Sequence, residues 1–400
     1  RAPGAAEAVT GGVDARAAFA QRDYMTSNWT DDGQLPWLQE RGVRLVRGQG
    51  RLTGERTVEV TAPDGSTETL RVRRGVILAT GTRAAIPPID GLRESRPWDN
   101  RDITSAKEVP GRLIVLGGGA IGCEMAQAYR RLGSDQVTVV EGMDRLLARE
   151  EPFASEEVRA AFEAEQITVL TGARMSAVQR SGDDGPVRAT LDDGRQLEGD
   201  EILVAVGRRP TTADIGLDVV GLEPGRSVTV DDRMRAVGVP GEWLYAIGDC
   251  NGRALFTHMG KYHARIAADN ILGKDITDRA SSDILTRVTF TDPQVCAVGP
   301  TEAQARERGL NVRPLRYPTG GVPGAYVRGN GIAGTSQLLV DDDRRVVVGA
   351  TFTGPDVQEL LHSATVAIAA EVTLDQLAHA VPAFPTVSEV WLHMLEAYGI

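Results

Sequence analysis

The segment around residue 117 constrains the fold more than any other part of the chain. An apolar run at residues 112–116 has the composition of a buried strand, and Gly117-Gly-Gly-Ala-Ile-Gly122 follows it directly. A helical stretch at 123–132 and a second apolar run at 136–140 come next. Parallel strands need a crossover, usually a helix, so this order predicts a βαβ unit.

The three glycines of this segment have the spacing of a dinucleotide-binding turn. The first permits a tight turn, the second lets a pyrophosphate approach the backbone, and the third lets helix and strand pack closely. The positive end of the helix favours the phosphates. These roles fall to Gly117, Gly119 and Gly122, and the alternative is a glycine-rich turn that binds nothing.

Glu141 ends the second predicted strand, where a carboxylate accepts hydrogen bonds from an adenosine ribose. A carboxylate there repels a 2′-phosphate, whereas NADP sites usually place Arg nearby, and Arg145 is the nearest candidate. The sequence therefore favours NADH over NADPH.

In the rest of the sequence, the pattern of residues predicts strands that alternate with helices. Before the βαβ unit, about the first thirty residues are predicted to be helical. Strands are predicted at 43–46, 57–61 and 76–79, with a hairpin turn at Asp64-Gly65. After the unit we expect a helix from about 152, a strand at 167–170, an antiparallel pair at 173–180 and 187–191, a strand at 202–206, a strand end at 243–249, a helix at 257–272, strands at 286–290, 334–340 and 346–353, and helices at 355–371 and 387–397.

Composition excludes several classes of protein. The net charge is -11 without a basic run, which argues against a nucleic-acid or anionic-membrane partner. The apolar runs are shorter than the roughly 20 residues of a membrane helix. No export signal is recognisable, so the expected location is the cytoplasm. The three cysteines and five histidines show no metal-ligand spacing, so no metal site is expected, and Cys123, Cys250 and Cys296 are predicted to be buried small residues.

Several motifs together resemble one family. They are Ala79-Thr-Gly-Thr82, residues 117–124, Gly207-Arg-Arg-Pro210, Tyr245-Ala-Ile-Gly-Asp249, Asp292-Pro293 with Val298-Gly299, and Phe384-Pro-Thr-Val-Ser-Glu389. The chain is similar to the class I pyridine nucleotide-disulfide oxidoreductases, which include dihydrolipoamide dehydrogenases, mercuric reductases and quinone-reducing relatives. The resemblance implies an α/β fold with three-layer, Rossmann-like FAD- and NAD(P)-binding domains and an α+β C-terminal dimerisation domain. The expected boundaries are 1–110 for the first part of a partial FAD domain, 111–235 for the NAD(P) domain, 236–285 for the second part of the FAD domain and 286–400 for the dimerisation domain.

The resemblance also implies roles for individual residues. Thr80, Gly81, Gly248 and Asp249 would bind FAD, and Gly207 would join the NAD site. Glu124 would lie near the flavin and nicotinamide rings. Two other interpretations stay open, in which Asp249 is the N-cap of a following helix and Glu124 is a first-turn carboxylate that favours the helix dipole.

The chain departs from the family at three points. No strand with its own GxGxxG loop precedes residue 111, and the Gly-containing run at 48–54 is predicted to be a strand-edge turn. The redox cysteine pair of the family, and the lysine that pairs with Glu124, are also missing, as in a chain truncated at its N-terminus. Finally, Phe384 stands where disulfide-reducing relatives carry a histidine, which leaves Glu389 without its imidazole, and His379 is predicted to be a surface residue.

Three functions follow from these features. The first is an FAD-dependent NAD(P)H oxidoreductase that passes electrons to a small quinone-like acceptor, a reaction that needs no acid-base pair. The second is dihydrolipoamide dehydrogenase, if a longer chain supplies the cysteine pair. The third is an NADH-binding fragment without turnover. A homodimer is expected through residues 286–400. The helix surfaces around Leu360, Val366, Trp391 and Leu395 look too apolar to stay exposed to water, so a second copy of the chain is expected to cover them.

Overall fold

The structure is a computed structural model that describes residues 4–5 and 8–400. The helices of the described residues are α1 (Ala15–Met25), α2 (Leu35–Glu40), α3 (Asn100–Ser105), α4 (Ala120–Leu132), α5 (Pro152–Ala164), α6 (Thr257–Ile271), α7 (Glu302–Glu307), α8 (Pro323–Arg328), α9 (Gln358–Ala369), α10 (Leu374–Leu377) and α11 (Val390–Tyr398). The strands are β1 (Gln49–Gly54), β2 (Thr57–Thr61), β3 (Thr67–Arg71), β4 (Val76–Leu78), β5 (Thr82–Ala84), β6 (Arg112–Leu116), β7 (Gln136–Val140), β8 (Thr168–Leu170), β9 (Met175–Arg180), β10 (Val187–Leu191), β11 (Gln196–Gly199), β12 (Glu201–Val204), β13 (Arg208–Pro210), β14 (Leu244–Ala246), β15 (Thr286–Thr289), β16 (Gln294–Val298), β17 (Val312–Pro318), β18 (Thr335–Asp341) and β19 (Val346–Gly354).

The chain forms two compact units. One is built chiefly from residues 85–206 and 283–400, and the other from residues 16–84 and 207–282. Of the predicted N-terminal helical stretch, Ala15–Met25 forms helix α1, and residues 1–3 and 6–7 lie outside the described residues.

The first half of the first unit contains a parallel sheet in the order β12-β6-β7-β8. Strands β12, β6 and β7 are buried on both faces, as parallel strands generally are, whereas the edge strand β8 is only partly buried. The inward residues of β6 and β7 pack with α4 and α5 in one core that includes Val115, Val139 and Phe162. Strands β9, β10 and β11 form a separate antiparallel sheet. The predicted βαβ unit and the predicted antiparallel pair are therefore both confirmed.

The second half of the first unit is a five-stranded antiparallel sheet in the order β15-β16-β19-β18-β17. Phe352 on β19 lies in its core, which also takes in residues of α9 and α11. Leu360 and Leu395 belong to this same core, so their own sheet already covers them, and they are not available for the dimer surface that the sequence analysis assigned to them. Trp391 packs against the core, and Val366 is 51% exposed. The helices use most of their apolar faces to cover their own sheet.

The second unit combines an antiparallel hairpin sheet, β1-β2-β3, with a short parallel pair, β4 and β14. The predicted Asp64-Gly65 turn joins β2 to β3, and Gly65 has φ +83°. Two predictions fail here. Residues 43–46 form no strand, and most of the 48–54 run is the paired strand β1 rather than a turn. Since β1 hydrogen-bonds along its length to β2, its glycines occupy strand positions instead of a loop.

Helix α6 packs beside the parallel pair. Its residues Ile266 and Ala267 share a core with Leu78, Trp243 and Tyr245. Within the part of the chain that the structure describes, no helix is both long and apolar enough to cross a bilayer.

Candidate functional site

The Gly-rich loop, Gly117 to Gly122, connects β6 to α4 and depends on two of its glycines for steric reasons. Gly117 has φ +112°, a conformation that residues with a side chain rarely adopt. A Cβ added to Gly122 would lie 1.9 Å from the carbonyl oxygen of Gly117. The helix can start this close to the strand only because both positions lack side chains.

The remaining glycine, Gly119, leaves the loop open. No heavy atom lies within 4 Å of a Cβ built on Gly119, which is the N-cap of α4. Gly119 provides no side chain to cap the helix, and the first turn contains no acidic residue. The first N–H groups of a helix have no partner within it, so an uncapped, open N-terminus is suited to an anion such as pyrophosphate.

Glu141 lies against this loop. Its carboxylate accepts one hydrogen bond from the Gly118 N–H at 2.6 Å and another from the Met143 N–H at 2.7 Å. Two backbone donors fix both carboxylate oxygens beside the loop. Each oxygen keeps a lone pair that can accept a hydrogen bond from a hydroxyl group.

Two arginines belong to the segments that flank Glu141, and they differ in their availability. The guanidinium of Arg145 donates to the carbonyl oxygens of Ala148 and Glu150, so it is committed to the backbone. Arg174 was missed by the sequence analysis because it comes from a different strand region. It is exposed, and its Cγ lies 3.9 Å from a Cβ built on Gly142.

Glu124 projects from α4, two residues after Gly122. The structure places it in the second turn, so the first-turn interpretation is wrong. Its carboxylate accepts a hydrogen bond from the Phe290 N–H at 2.8 Å. Burial raises the pKa of this carboxyl group, and the hydrogen bond only partly opposes that shift.

The second cluster of predicted residues surrounds the Asp249 turn, a 3₁₀ helix from Gly248 to Asn251 that follows β14. Gly248 has φ +65°. The Asp249 carboxylate accepts a hydrogen bond from the Thr82 hydroxyl at 2.6 Å and lies 3.4 Å from the Arg208 guanidinium. Asp249 is not an N-cap, because the N-cap of the 3₁₀ helix is Ile247 and that of α6 is Phe256.

The other predicted flavin residues lie on the same side of this unit. Thr80 and Gly81 contact the Cys250 thiol, and the Gly81 carbonyl oxygen accepts the Thr211 N–H at 3.0 Å. Gly207, which was predicted for the NAD site and not for the flavin site, has φ +147° and immediately precedes Arg208. Thr82 and Arg208, which hold Asp249, fall inside motifs that carried the resemblance, but sequence spacing alone did not identify them as its partners.

The C-terminal motif has a different geometry. Glu389 is buried, and its carboxylate accepts the Thr386 N–H at 3.3 Å as part of a capping box. Phe384 is 75% exposed, and His379 is exposed as predicted. Glu389 therefore caps a helical turn.

The three cysteines are buried, as predicted. Burial raises the pKa of all three thiols, that of Cys296 to about 12. A thiolate is the reactive form, so none of the three is activated for redox chemistry. Among the residues that the structure describes, no group of His, Cys, Asp and Glu has a metal-binding arrangement.

Comparison with known proteins identifies the family. Residues 15–268 match the pyridine nucleotide-disulphide oxidoreductase family, and residues 285–395 match the dimerisation domain of the same family. The chain belongs to this family. It is therefore an oxidoreductase of a class that uses FAD and a pyridine nucleotide, with an α/β fold and a dimerisation domain, as the resemblance implied.

Individual relatives agree with this assignment. The chain is 28% identical to a mercuric reductase of Lysinibacillus sphaericus, over 95% of this chain and 68% of that protein. It is 34% identical to a dihydrolipoyl dehydrogenase of Chlorobaculum parvum, over 93% of this chain and 79% of that protein. Among solved structures, LpdA of Mycobacterium tuberculosis superposes with a TM-score of 0.85 at 26% identity, covering 98% of this chain and 85% of that one. Across the curated relatives, the chain spans between 58% and 79% of their length.

Proposed function

We propose that this chain is an FAD-dependent NADH oxidoreductase that delivers electrons to a small quinone-like acceptor. The observation that carries the proposal is the Glu141 carboxylate, fixed by two backbone N–H groups beside an open Gly-rich loop. That arrangement matches what an adenosine ribose and a pyrophosphate require of a protein.

The preference for NADH rests on charge. The fixed carboxylate of Glu141 would face the 2′-phosphate of NADPH, and Arg145 is turned toward carbonyl oxygens. Arg174 is exposed, and its Cγ lies 3.9 Å from a Cβ built on Gly142, so its charge weakens the preference for NADH without removing it.

The proposed flavin contacts come from the Asp249 turn. Thr82 and Arg208 hold the Asp249 carboxylate, which keeps 21% of its side-chain surface exposed and can accept a hydroxyl of the cofactor. Helix α6 begins without a side-chain cap, so its N-terminus offers positive potential to an electron-rich group. When bound, FAD would accept a hydride from NADH and release the electrons to an acceptor.

The choice of acceptor rests on what the chain's own residues can supply. Disulfide reduction needs an activated thiol pair and an acid that protonates the leaving thiolate. The three cysteines are buried with raised pKa values, and the position of the acid is an exposed Phe384. Quinone reduction requires neither group. Dihydrolipoamide dehydrogenase activity remains the alternative if a longer chain brings its own cysteine pair.

A second alternative is NADH binding without turnover. It is favoured by one observation, namely that β4 and β14 alone form the parallel sheet beneath the Asp249 turn among the described residues. We also propose a homodimer through residues 286–400. Its surface would draw on side chains that are exposed in this unit: Tyr326, Val327, Val366, Val381 and Phe384. The cytoplasmic location remains a prediction.

Two measurements test the proposal. Purified protein should contain or take up FAD, and the bound flavin should be reduced by NADH more efficiently than by NADPH. A colourless protein that binds NADH and takes up no FAD would support the fragment alternative. Static light scattering at micromolar concentration should give the mass of a dimer, and a monomer mass would contradict the proposed assembly.

A further inference from the structure

One buried histidine in the second unit plays no part in the function proposed above. His263 lies on α6 and is 0% exposed. A buried, neutral imidazole offers one donor and one acceptor, and here both have partners.

The geometry fixes which nitrogen carries the proton. The Gly248 N–H donates to Nδ1 of His263 at 3.3 Å, so Nδ1 must be the acceptor. The proton is then on Nε2, which lies 2.8 Å from the Ser281 hydroxyl oxygen and donates to it. This tautomer leaves no free base to activate Ser281, so the arrangement is not that of a Ser-His-Asp hydrolase.

Ser281 in turn connects to an ionised group. Burial opposes ionisation of Asp278, but hydrogen bonds from Ser281 and Arg253 outweigh it, so the pKa of Asp278 lies below its usual value. Arg253 also pairs with Asp232 at 3.0 Å. These residues line a surface cleft of about 350 Å³, and Ser281 connects this cleft to the buried imidazole by its hydrogen bond to Nε2.

The groups that surround His263 determine the direction in which its pKa shifts. Desolvation lowers the pKa of His263 first, the charge of Asp278 raises it, and the charge of Arg253 lowers it. Asn251 presents its side-chain amide nitrogen 3.4 Å from Nδ1, and the Tyr262 ring centroid lies 6.1 Å away on the same helix. The net direction is downward, so the imidazole is neutral at pH 7.

Protonation of His263 would turn its attractive contact with the Asp249 turn into a repulsive one. A proton on Nδ1 would face the Gly248 N–H and the Asn251 amide, both of which are donors, inside a buried site. Gly248 has φ +65° and directly precedes Asp249. Loss of the hydrogen bond from the Gly248 N–H would therefore change the orientation of the Asp249 carboxylate.

We propose that neutral His263 is a positioning residue that holds the Asp249 turn, and that its protonation in mildly acidic solution loosens the turn and weakens FAD binding there. The second clause rests on the proposed function, whereas the first does not. The sign follows from linkage. A folded-state pKa below that of the unfolded chain gives stability that is present above about pH 6.5 and is lost as the pH falls toward the folded-state pKa.

The test separates the turn from the cofactor. In unmodified protein without FAD, the amide resonance of Gly248 should shift with the same pH midpoint as the His263 ring. FAD affinity should fall about tenfold between roughly pH 7.5 and 5.5 in unmodified protein, and about twofold or less in His263→Gln, which keeps an acceptor and a donor but does not titrate. His379→Gln, a change at an exposed histidine, should behave as unmodified protein.

Each outcome decides one part. A Gly248 amide that stays fixed while His263 titrates would overturn the proposal, as would a His263→Gln protein that loses FAD with acid as unmodified protein does. If FAD does not bind at any pH, the proposed function fails, and the amide titration still decides whether His263 controls the turn. If His263→Gln does not fold, the amide titration of unmodified protein decides alone.

Discussion

The Gly-rich loop and the Asp249 turn both follow the C-terminal end of a parallel strand, but they are held in different ways. The loop is shaped by backbone sterics, since Gly122 has room only for hydrogen and Glu141 is fixed by backbone N–H groups. The Asp249 turn is held by side chains, namely Thr82, Arg208 and His263. We therefore expect glycine substitutions to disable the first site abruptly, whereas the second site should respond gradually to side-chain changes and to pH.

The largest effect is expected from Gly122→Val. Its Cβ would overlap the Gly117 carbonyl oxygen at 1.9 Å, so helix and strand must separate. We expect a loss of about 3 kcal/mol or more in unfolding free energy and no measurable NADH binding. Thermal unfolding and an NADH titration measure both.

Gly119→Ala is the matched control for that variant. Its Cβ meets nothing within 4 Å, so the protein should fold normally, while the added methyl group weakens pyrophosphate binding by about tenfold. If Gly122→Val binds NADH as well as Gly119→Ala does, backbone sterics do not define the loop.

The next effect concerns coenzyme preference. Replacing Glu141 by Arg removes the ribose acceptor and adds a partner for a 2′-phosphate, so the ratio of NADPH to NADH affinity should rise about 10- to 100-fold. The substitution also removes the acceptor of two backbone N–H groups. Any resulting disturbance of the loop should lower the affinity for both coenzymes, so the ratio of the two affinities, measured on the same variant, is not affected by it. An unchanged ratio, or better use of NADPH by unmodified protein, would contradict the assignment of Glu141.

A smaller effect is expected at the Asp249 turn. Thr82→Val removes the hydroxyl that donates to Asp249 but keeps the side-chain shape. FAD affinity should fall about fivefold, since a hydrogen bond of this kind contributes about 1 kcal/mol. NADH affinity should not change. Thr82→Ser, which keeps the hydroxyl, should restore FAD binding, and equal losses in both variants would mean that the hydroxyl is not the cause.

The smallest effect is expected at Glu124. Because burial raises the pKa of its carboxyl group, the ionised form destabilises the fold, and stability should decline as the pH rises through the folded-state pKa. Glu124→Gln can still accept the Phe290 N–H without carrying a charge. We expect it to be more stable at neutral pH by about 1 kcal/mol or less. Chemical unfolding near pH 7 and pH 4.5 should show the gain only at the higher pH.

The contrast between the two sites also explains what the sequence could predict. The Gly-rich loop and Glu141 lie within one continuous βαβ unit, so local periodicity and glycine spacing were sufficient. The Asp249 turn brings together Thr82, Arg208 and His263 from three distant segments, and no local pattern reports such pairings. Residues 43–46 were predicted as a strand from β-branched composition, but they have no neighbouring strand with which to pair. Leu360 and Leu395 were assigned to a dimer surface from their apolar helix faces, but those faces pack on the chain's own sheet.

The most direct test of the account is an anaerobic titration of FAD-supplemented protein with NADH, followed through the flavin absorbance. The account predicts that stoichiometric NADH bleaches the bound flavin, and that a quinone restores the colour whereas oxidised lipoamide does not. A protein that binds NADH while its flavin stays oxidised would contradict the account. So would restoration of the colour by lipoamide after alkylation of the cysteines.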